Sequence, residues 1–337
     1  MVHLNFSLGI TLVLVGLCSL LGNATICLLI ARRPCFYKTQ YALVFMLSLA
    51  DLLNTLVSLP MEVASYLTYD REEYVFSPTA TVFQNAIWYT LTSLSILSLM
   101  LISIEKALTI YFPFKYVFII TKRTVGAALL IVWLHGATTF TAFWWFQRWP
   151  LRGVYDFYVP RWFEDLTILI NFVIPSLVNF LSYGYIFKTI IQHSRKTVNP
   201  FGEQQQHKTS KWKRDIQLAR NLKNTRPFIY LAISFFIFLL PFIVYQVYLT
   251  FDPNQYYKCE GELIDSTLSM VTFANSVGNV FIYGTSNSRF RKAFRKMFNM
   301  SDLLLTTFEN TKMAFELDGM KDKVNRKIRV ARNKNEN

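Results

Sequence analysis

Features that mark an enzyme are missing from this sequence. Its four histidines, His3, His135, His193 and His207, are too scattered to form a metal cluster by local spacing. Glycine-rich phosphate loops and nucleophile elbows do not occur. The strict alternation of polar and apolar residues that a membrane β-barrel requires is also absent. The sequence therefore predicts neither an enzyme nor a barrel.

Long apolar stretches dominate the chain instead. Seven of them reach the roughly 20 residues that cross a bilayer. They must be helical, because hydrocarbon offers no water to satisfy a free backbone amide. The predicted spans are 8–31, 41–67, 81–111, 125–146, 166–191, 227–251 and 263–285. The predicted fold class is all-α, a bundle of seven transmembrane helices.

Basic residues are scarce in one alternating set of connectors. Of the 35 lysine and arginine residues, that set holds only Arg71, Arg148, Arg152, Arg161 and Lys258. Connectors rich in basic residues stay in the cytoplasm, which predicts a multi-pass plasma-membrane protein with an extracellular amino terminus and a cytoplasmic tail. The net charge of +14 does not require a nucleic-acid partner, because basic residues at the cytoplasmic face lie beside anionic lipid of the inner leaflet.

Four segments follow one another in the predicted organisation. They are a short extracellular segment at 1–7, the bundle at 8–285, an amphipathic helix at 286–300 and a cytoplasmic tail at 301–337. The amphipathic helix is indicated by Phe290, Phe294 and Phe298, which recur every four residues among basic residues. Such a helix lies on the inner leaflet, so membrane lipid is a predicted partner.

Asp51 is the most deeply placed ionisable residue of the predicted spans. A charge at this depth is costly and usually serves a function. A carboxylate surrounded by hydroxyl and amide oxygens suits a hard cation such as sodium, although it could also simply tie helices together. No cofactor other than sodium is predicted. The polar residues available in other spans are Asn23, Ser95, Asn275, Ser276 and Asn279.

Short motifs occur in a fixed order along the seven spans. They are Gly22-Asn23, Leu47-Ser48-Leu49-Ala50-Asp51, Ser103-Ile104-Glu105-Lys106, Trp133, Pro175, Tyr183, Phe235, Leu239-Leu240-Pro241, Asn275-Ser276 and Asn279-Val280-Phe281-Ile282-Tyr283. Over about residues 8–298 this order resembles a divergent rhodopsin-like (class A) G-protein-coupled receptor. The resemblance implies two partners, an extracellular ligand and a heterotrimeric G protein.

The resemblance also assigns roles to individual residues. It implies a sodium pocket formed by Asp51, Ser95, Asn275 and Asn279. The residues it implies for activation and coupling are Glu105, Lys106, Tyr183, Tyr283, Pro175 and Pro241. Tyr183 and Tyr283 would meet near the cytoplasmic end on activation. Pro175 and Pro241 remove backbone donors and would serve as hinges.

Several positions depart from the family pattern at the cytoplasmic end. Glu105-Lys106-Ala107 stands in place of the acidic-arginine-tyrosine triplet, and lysine lacks the planar fork of arginine. Asn221 stands where many members have an acid, so a salt bridge that locks the inactive state is not expected. Val280 replaces a proline, and Leu239 replaces a tryptophan. These changes predict a divergent member with high basal activity or weak coupling.

The outer end of the bundle is where this fold binds its ligand. The residues that the resemblance places there are Glu62, Trp88, Tyr89, Thr92, Thr167, Asn171, Phe242, Gln246, Ser269 and Phe273. Trp88 occupies the place of the aspartate of amine receptors, which argues against a biogenic amine. Phe273 occupies the place of the retinal-binding lysine, which excludes an opsin.

Glu62 gives the ligand hypothesis its chemistry. With the acidic outer connectors it could attract a cationic peptide end, although a glutamate at a solvated helix end is the alternative. We therefore favour a neuropeptide ligand over an environmental chemical sensed by a chemosensory receptor. A receptor-shaped protein that binds without signalling is a third interpretation. A transporter is disfavoured because the halves of the chain show no internal repeat.

Overall fold

The fold was analysed in a computed structural model. It describes residues 2–36, 39–67, 78–112, 114–146, 160–198, 225, 227–251 and 259–297. Every secondary-structure element within these ranges is helical, which confirms the all-α prediction. The chain divides into two units, Met1–Phe290 and Arg291–Asn337. The predicted tail at 301–337 lies outside the described residues.

Seven long helices make up the described part of the first unit. The first four are Val2–Arg32, Thr39–Leu67, Pro78–Tyr111 and Lys122–Phe146. The fifth consists of Arg161–Ile168, Leu169–Val173 and Ile174–Val198 in direct succession. The sixth has two arms, Pro227–Phe238 and Leu240–Phe251, and the seventh is Cys259–Ser286. Short helical turns at Pro34–Phe36 and Tyr116–Ile119 lie in the first two cytoplasmic connectors.

Most of these helices are longer than the apolar stretches that predicted them. The first begins at Val2, within the segment 1–7 that was predicted as a separate extracellular terminus. The seventh begins at Cys259 rather than at residue 263. The reason is that an apolar stretch marks only the hydrocarbon depth, whereas a helix satisfies its own backbone and can continue into the headgroup region.

Length and composition identify most of the membrane spans directly. Within the described ranges, five helices are individually long and apolar enough to cross a membrane, and the two arms of the sixth are so when taken together. The seventh helix carries more polar side chains, among them Asn275 and Asn279, which are 3% and 1% exposed. It packs against the first helix, so these polar groups face protein rather than lipid.

Three prolines coincide with irregular helix geometry. A π-helical turn at Asn54–Ser58 precedes Pro60, and another at Leu169–Val173 precedes Pro175. The arms of the sixth helix meet at an angle of 41° just before Pro241. Proline has no amide hydrogen and its ring collides with the carbonyl four residues earlier, so the preceding turn widens or the helix bends.

The third helix occupies the centre of the bundle. It packs against the second, fourth and fifth helices, and 72% of its most apolar 18-residue segment is buried. Its inward serines Ser93, Ser95, Ser98 and Ser103 are all nearly inaccessible. A polar group without water must find a partner in the protein, so this helix is the natural place for contacts that join the other helices.

A short helix, Ser288–Met297, follows the seventh and is strongly amphipathic, as predicted for 286–300. Phe290 stacks on Phe36, with 4.5 Å between the ring centroids. It also meets the rings of Tyr41 and Tyr283, at 5.8 and 5.4 Å. This aromatic cluster anchors the start of the short helix to the cytoplasmic ends of the first, second and seventh helices. Phe298 lies outside the described residues.

Candidate functional site

Asp51 joins three helices in the middle of the bundle. It is 2% exposed. Ser95 Oγ of the third helix donates to its Oδ1 at 2.8 Å, and Asn279 Nδ2 of the seventh donates to its Oδ2 at 2.9 Å. The structure therefore brings three of the four predicted sodium ligands into direct contact.

The first helix reaches the same region through a chain of polar contacts. Thr55 Oγ1 donates to the Asp51 carbonyl at 2.8 Å and shares a hydrogen bond of 2.7 Å with Ser19 Oγ. Asn23 Nδ2 donates to the Ser19 carbonyl at 3.1 Å. All these groups are buried, so the polar cluster ties the first helix to the second.

Several buried side-chain oxygen atoms of the first, second and seventh helices have no hydrogen-bond donor among the described residues. Among the polar atoms that the structure describes, the buried ones without a hydrogen-bond partner include Asn23 Oδ1, Ser48 Oγ, Asn275 Oδ1 and Asn279 Oδ1. A buried acceptor without a donor costs free energy, and sodium prefers oxygen ligands of this kind. Asn275, the fourth predicted ligand, thus supplies an unengaged oxygen and not a contact with the carboxylate.

Two carboxylate–amide pairs mark the outer half. Gln84 Nε2 of the third helix donates to Glu62 Oε2 of the second at 2.9 Å. Gln246 Nε2 of the sixth helix donates to Asp265 Oδ1 of the seventh at 2.8 Å. Glu62 is half-buried and its partner Gln84 is 8% exposed, so Glu62 is held by the bundle and is not a freely solvated helix end.

Aromatic rings fill the space between the third helix and its neighbours. Tyr89 stacks on Phe143 of the fourth helix at 4.7 Å between centroids. It also meets Phe172 of the fifth edge to face at 6.0 Å. Trp88 meets Phe242 of the sixth at 5.4 Å. Edge-to-face and offset pairs at these distances are the preferred ring arrangements, so Trp88 and Tyr89 link three neighbouring helices.

The four aromatic residues at 143–146 lie in two different environments. The Phe143 ring is 2% exposed and belongs to this aromatic cluster. Trp144 and Trp145 are 45% and 81% exposed. Their exposure at the outer end of the fourth helix is what a membrane-interface position predicts. Phe143 therefore belongs to the candidate site together with Phe146, which meets the Phe163 ring at 4.8 Å between centroids, whereas Trp144 and Trp145 lie outside it.

The predicted ligand residue Asn171 is occupied by partners inside the bundle. Its Oδ1 accepts from Ser93 Oγ of the third helix at 2.7 Å and lies 2.6 Å from His135 Nε2 of the fourth. Its Nδ2 donates to the Thr167 carbonyl at 3.1 Å. The Asn171 amide thus connects the third, fourth and fifth helices, and its polar groups are already used.

The remaining predicted ligand residues lie in the same half of the bundle. Thr92 is 5% exposed and its hydroxyl has no hydrogen-bond partner. Phe273 is 2% exposed and packs in a cluster with Leu12 and Leu59, with Trp88 against it. Ser269 is half-buried, and its carbonyl accepts from Thr272 Oγ1 at 2.6 Å. Phe273 thus brings the seventh helix against Leu12 of the first, Leu59 of the second and Trp88 of the third.

A second buried cluster lies at the cytoplasmic end. Lys106 and Glu105 are 4% and 5% exposed. The Lys106 ammonium lies 2.6 Å from Glu105 Oε2 and 4.1 Å from the centroid of the Phe228 ring on the sixth helix. Tyr283 meets the same Phe228 ring at 6.5 Å between centroids. The hydroxyls of Tyr183 and Tyr283 are buried without hydrogen-bond partners.

Comparison with known proteins explains this arrangement. Residues 22–283 match the family described as 7 transmembrane receptor (rhodopsin family). The chain belongs to this family. It is therefore a multi-pass membrane receptor with a seven-helix bundle, for which the plasma membrane is the typical location, and it is not an enzyme.

Individual relatives within the rhodopsin family are distant. The chain is 25% identical over 297 residues to the "Probable G-protein coupled receptor 19" of Mus musculus. The alignment covers 85% of this chain and 66% of the relative. It is 25% identical over 332 residues to "Neuromedin-U receptor 2" of Mus musculus, with coverages of 88% and 76%. It is 24% identical over 326 residues to "Octopamine receptor beta-2R" of Drosophila melanogaster, with coverages of 84% and 59%. The chain thus spans just under two thirds of the first of these relatives.

Sequence reasoning missed several residues of this receptor's clusters. Gln84 lies one helical turn before Trp88, on the same face, and that spacing is a usable signal. In the sequence, Asp265 is one of several acidic residues on the outer side and His135 is one of four scattered histidines, so neither indicates a partner. Ser93 and Phe228 gave no signal, because a serine or phenylalanine in an apolar span does not reveal which helix it faces.

Proposed function

We propose that this receptor transmits the binding of an extracellular ligand to a heterotrimeric G protein. The observation that carries the proposal is the match to the rhodopsin family across residues 22–283. The polar contacts of Asp51 support it, because they join the second, third and seventh helices through one buried carboxylate. A rearrangement of any one of these helices therefore alters the packing of the other two.

The motion that opens a cytoplasmic cleft would involve the sixth helix. Its two arms meet at 41° just before Pro241, and a bend of this kind provides a hinge. An extracellular ligand that binds one arrangement more tightly than the other shifts the population between them. Pro175, after the π-helical turn Leu169–Val173, gives the fifth helix a comparable point of flexibility.

The test is a measurement of basal G-protein activation by the full-length chain across G-protein subtypes. The matched variant is Lys106→Arg, which keeps the charge and restores the family's arginine. Activation above an empty-vector control, changed by the substitution, would support the proposal. Silence of both proteins at confirmed surface expression and with the peptide library described below would overturn it, in favour of a receptor that binds without signalling.

The ligand that we propose is a peptide with a cationic end. Glu62 and Asp265 place two carboxylates at the outer half, each beside a glutamine amide, and a carboxylate pairs well with a guanidinium or ammonium group. Trp88 stands where amine receptors carry their aspartate. The relatives' names include neuromedin-U and octopamine, so those names do not select a ligand class.

Sodium is the proposed ion at Asp51. Asp51, Ser95 and Asn279 would hold it, with Asn275 Oδ1 as a further oxygen. A bound cation would supply positive charge to the buried carboxylate and would favour the arrangement in which the second, third and seventh helices stay together.

A further inference from the structure

The ammonium group of Lys106 is buried at the cytoplasmic end of the bundle. A charge removed from water is costly unless other groups compensate it. Lys106 is 4% exposed, at the cytoplasmic end of the third helix. In the part of the chain that the structure describes, two groups near its Nζ can stabilise a positive charge, the Glu105 carboxylate at 2.6 Å and the face of the Phe228 ring at 4.1 Å.

Glu105 by itself compensates this charge incompletely. Consecutive residues of a helix point in directions about 100° apart and do not normally face each other. Glu105 Oε2 is close enough for an ion pair, yet it has no hydrogen bond of good direction. Glu105 Oε1 also accepts from Thr109 Oγ1, at 3.4 Å. Among the described residues, the ion pair and hydrogen bonds of this carboxylate stay within the third helix.

Phe228 provides the link between helices. It lies in the first turn of the lower arm of the sixth helix, Pro227–Phe238, and is 3% exposed. Its ring face receives the Lys106 ammonium, and its ring also meets Tyr283 of the seventh helix. Asn221, the position at which a salt bridge to the third helix would form, carries no charge and lies outside the described residues.

We propose that Phe228 is a positioning residue for Lys106, and that the cation–π contact between them holds the third and sixth helices together in the closed arrangement. A desolvated contact of this type is strong enough to favour that arrangement by roughly tenfold to thirtyfold. If the sixth helix swings outward, Phe228 leaves Lys106 and the ammonium group becomes available to the cleft. Only this last consequence rests on the proposed function.

A double-mutant cycle on thermal unfolding tests the contact without any G protein. The four proteins are the unchanged chain, Phe228→Leu, Lys106→Gln and the double variant, each full length in the same lipid nanodiscs. We expect the double variant to lose several degrees less in Tm than the sum of the two single losses. The matched control is Phe235→Leu, another buried phenylalanine of the sixth helix, which should be additive with Lys106→Gln.

A second set of variants keeps the shape of the ring and changes its electrostatics. Progressively fluorinated phenylalanine at position 228 weakens the negative ring face while the packing stays nearly constant. The Tm should fall stepwise with each fluorine, and the fall should disappear in the Lys106→Gln background. A phenylalanine that acts only through packing would show no such series. Phe228→Trp should retain the contact.

These outcomes separate the inference from the proposed function. Non-additivity and a fluorine series support the contact even in a chain that activates no G protein. Additivity together with a flat fluorine series overturns it even in a chain that does. In a coupling receptor, the fluorinated variants should raise basal activation up to the same tenfold to thirtyfold range.

Discussion

Gly22 of the first helix lies directly against the side chain of Val280 of the seventh. A Cβ atom on Gly22 would overlap both methyl groups of Val280. Val280 stands where the family motif has a proline. The two positions are therefore complementary, since the absent side chain of Gly22 makes the space that Val280 fills.

This relationship predicts that Gly22→Ala destabilises the protein. Overpacking of a close helix contact costs about 1–3 kcal/mol, and the loss should appear as a lower Tm. Val280→Ala in the same chain should restore part of it, because it removes both overlapping methyl groups but keeps a Cβ atom 2.9 Å from the added carbon. The control is Gly126→Ala in the fourth helix, where an added Cβ meets no atom within 4 Å. A lower Tm for the control by the same amount would contradict the assignment.

Sodium should stabilise the receptor through Asp51. In the unchanged chain, replacing potassium by sodium at constant ionic strength should raise the Tm by several degrees, because the ion binds only the folded bundle. Asp51→Asn removes the negative charge while its amide oxygen can still accept from Asn279, so it should abolish the difference between the two ions. An equal Tm in sodium and potassium for the unchanged chain would refute a sodium site.

Glu62→Gln is the matched control for that experiment. It also removes one carboxylate from the second helix, but at the outer half and beside Gln84 rather than beside Asn279. We expect this variant to keep the full sodium effect. If it lost the effect as Asp51→Asn does, the ion dependence would arise from overall charge and not from the Asp51 cluster.

The contacts of Asp51 were predictable from sequence, whereas those of Asn171 were not. Asp51 is the most deeply placed ionisable residue of the spans, and a buried carboxylate requires donors such as those that Ser95 and Asn279 supply. The sequence does not indicate a partner for His135 or Ser93 in this way, since a half-buried histidine can also reach the membrane interface or its own backbone. The rotation of each helix about its axis decides such contacts, and packing against neighbours sets that rotation.

Some irregularities and ends of the helices were likewise predictable from the sequence, and others were not. The π-helical turns before Pro60 and Pro175 occur where proline removes a backbone donor, and proline is visible in the sequence. The extension of the first helix to Val2 has no such marker, because residues outside the hydrocarbon need not be apolar to remain helical.

Asn171→Ala should lower the stability of the bundle more than an alanine substitution of a residue that only contacts the ligand. The substitution leaves His135 Nε2 and Ser93 Oγ without their acceptor, and each unsatisfied buried group costs about 1–3 kcal/mol. The measurement is the Tm of the ligand-free protein. Ser98→Ala is the control, because Ser98 Oγ donates only to the Leu94 carbonyl of its own helix. Equal Tm values for Asn171→Ala and the unchanged chain would show that Asn171 is not structural.

Glu62 should select peptides by charge. A library of short peptides matched in length and apolar content, but differing in charge at one end, should contain activators or binders only among members with a cationic end. For such a peptide, Glu62→Gln should weaken binding about 10- to 100-fold, the range for a hydrogen bond to a charged group. The glutamine keeps the size of the side chain and can still pair with Gln84, so a large change in Tm is not expected.

Gln84 distinguishes a direct contact of Glu62 from a positional one. Gln84→Leu frees Glu62 Oε2 but leaves the carboxylate charge in place, so binding of the cationic peptide should fall less than in Glu62→Gln. Parallel loss of affinity in both variants would mean that the pair only shapes the outer half of the bundle. Activation by neutral or anionic peptides to the same extent as by cationic ones would exclude recognition by the Glu62 carboxylate. Its negative charge attracts only a cationic ligand and repels an anionic one.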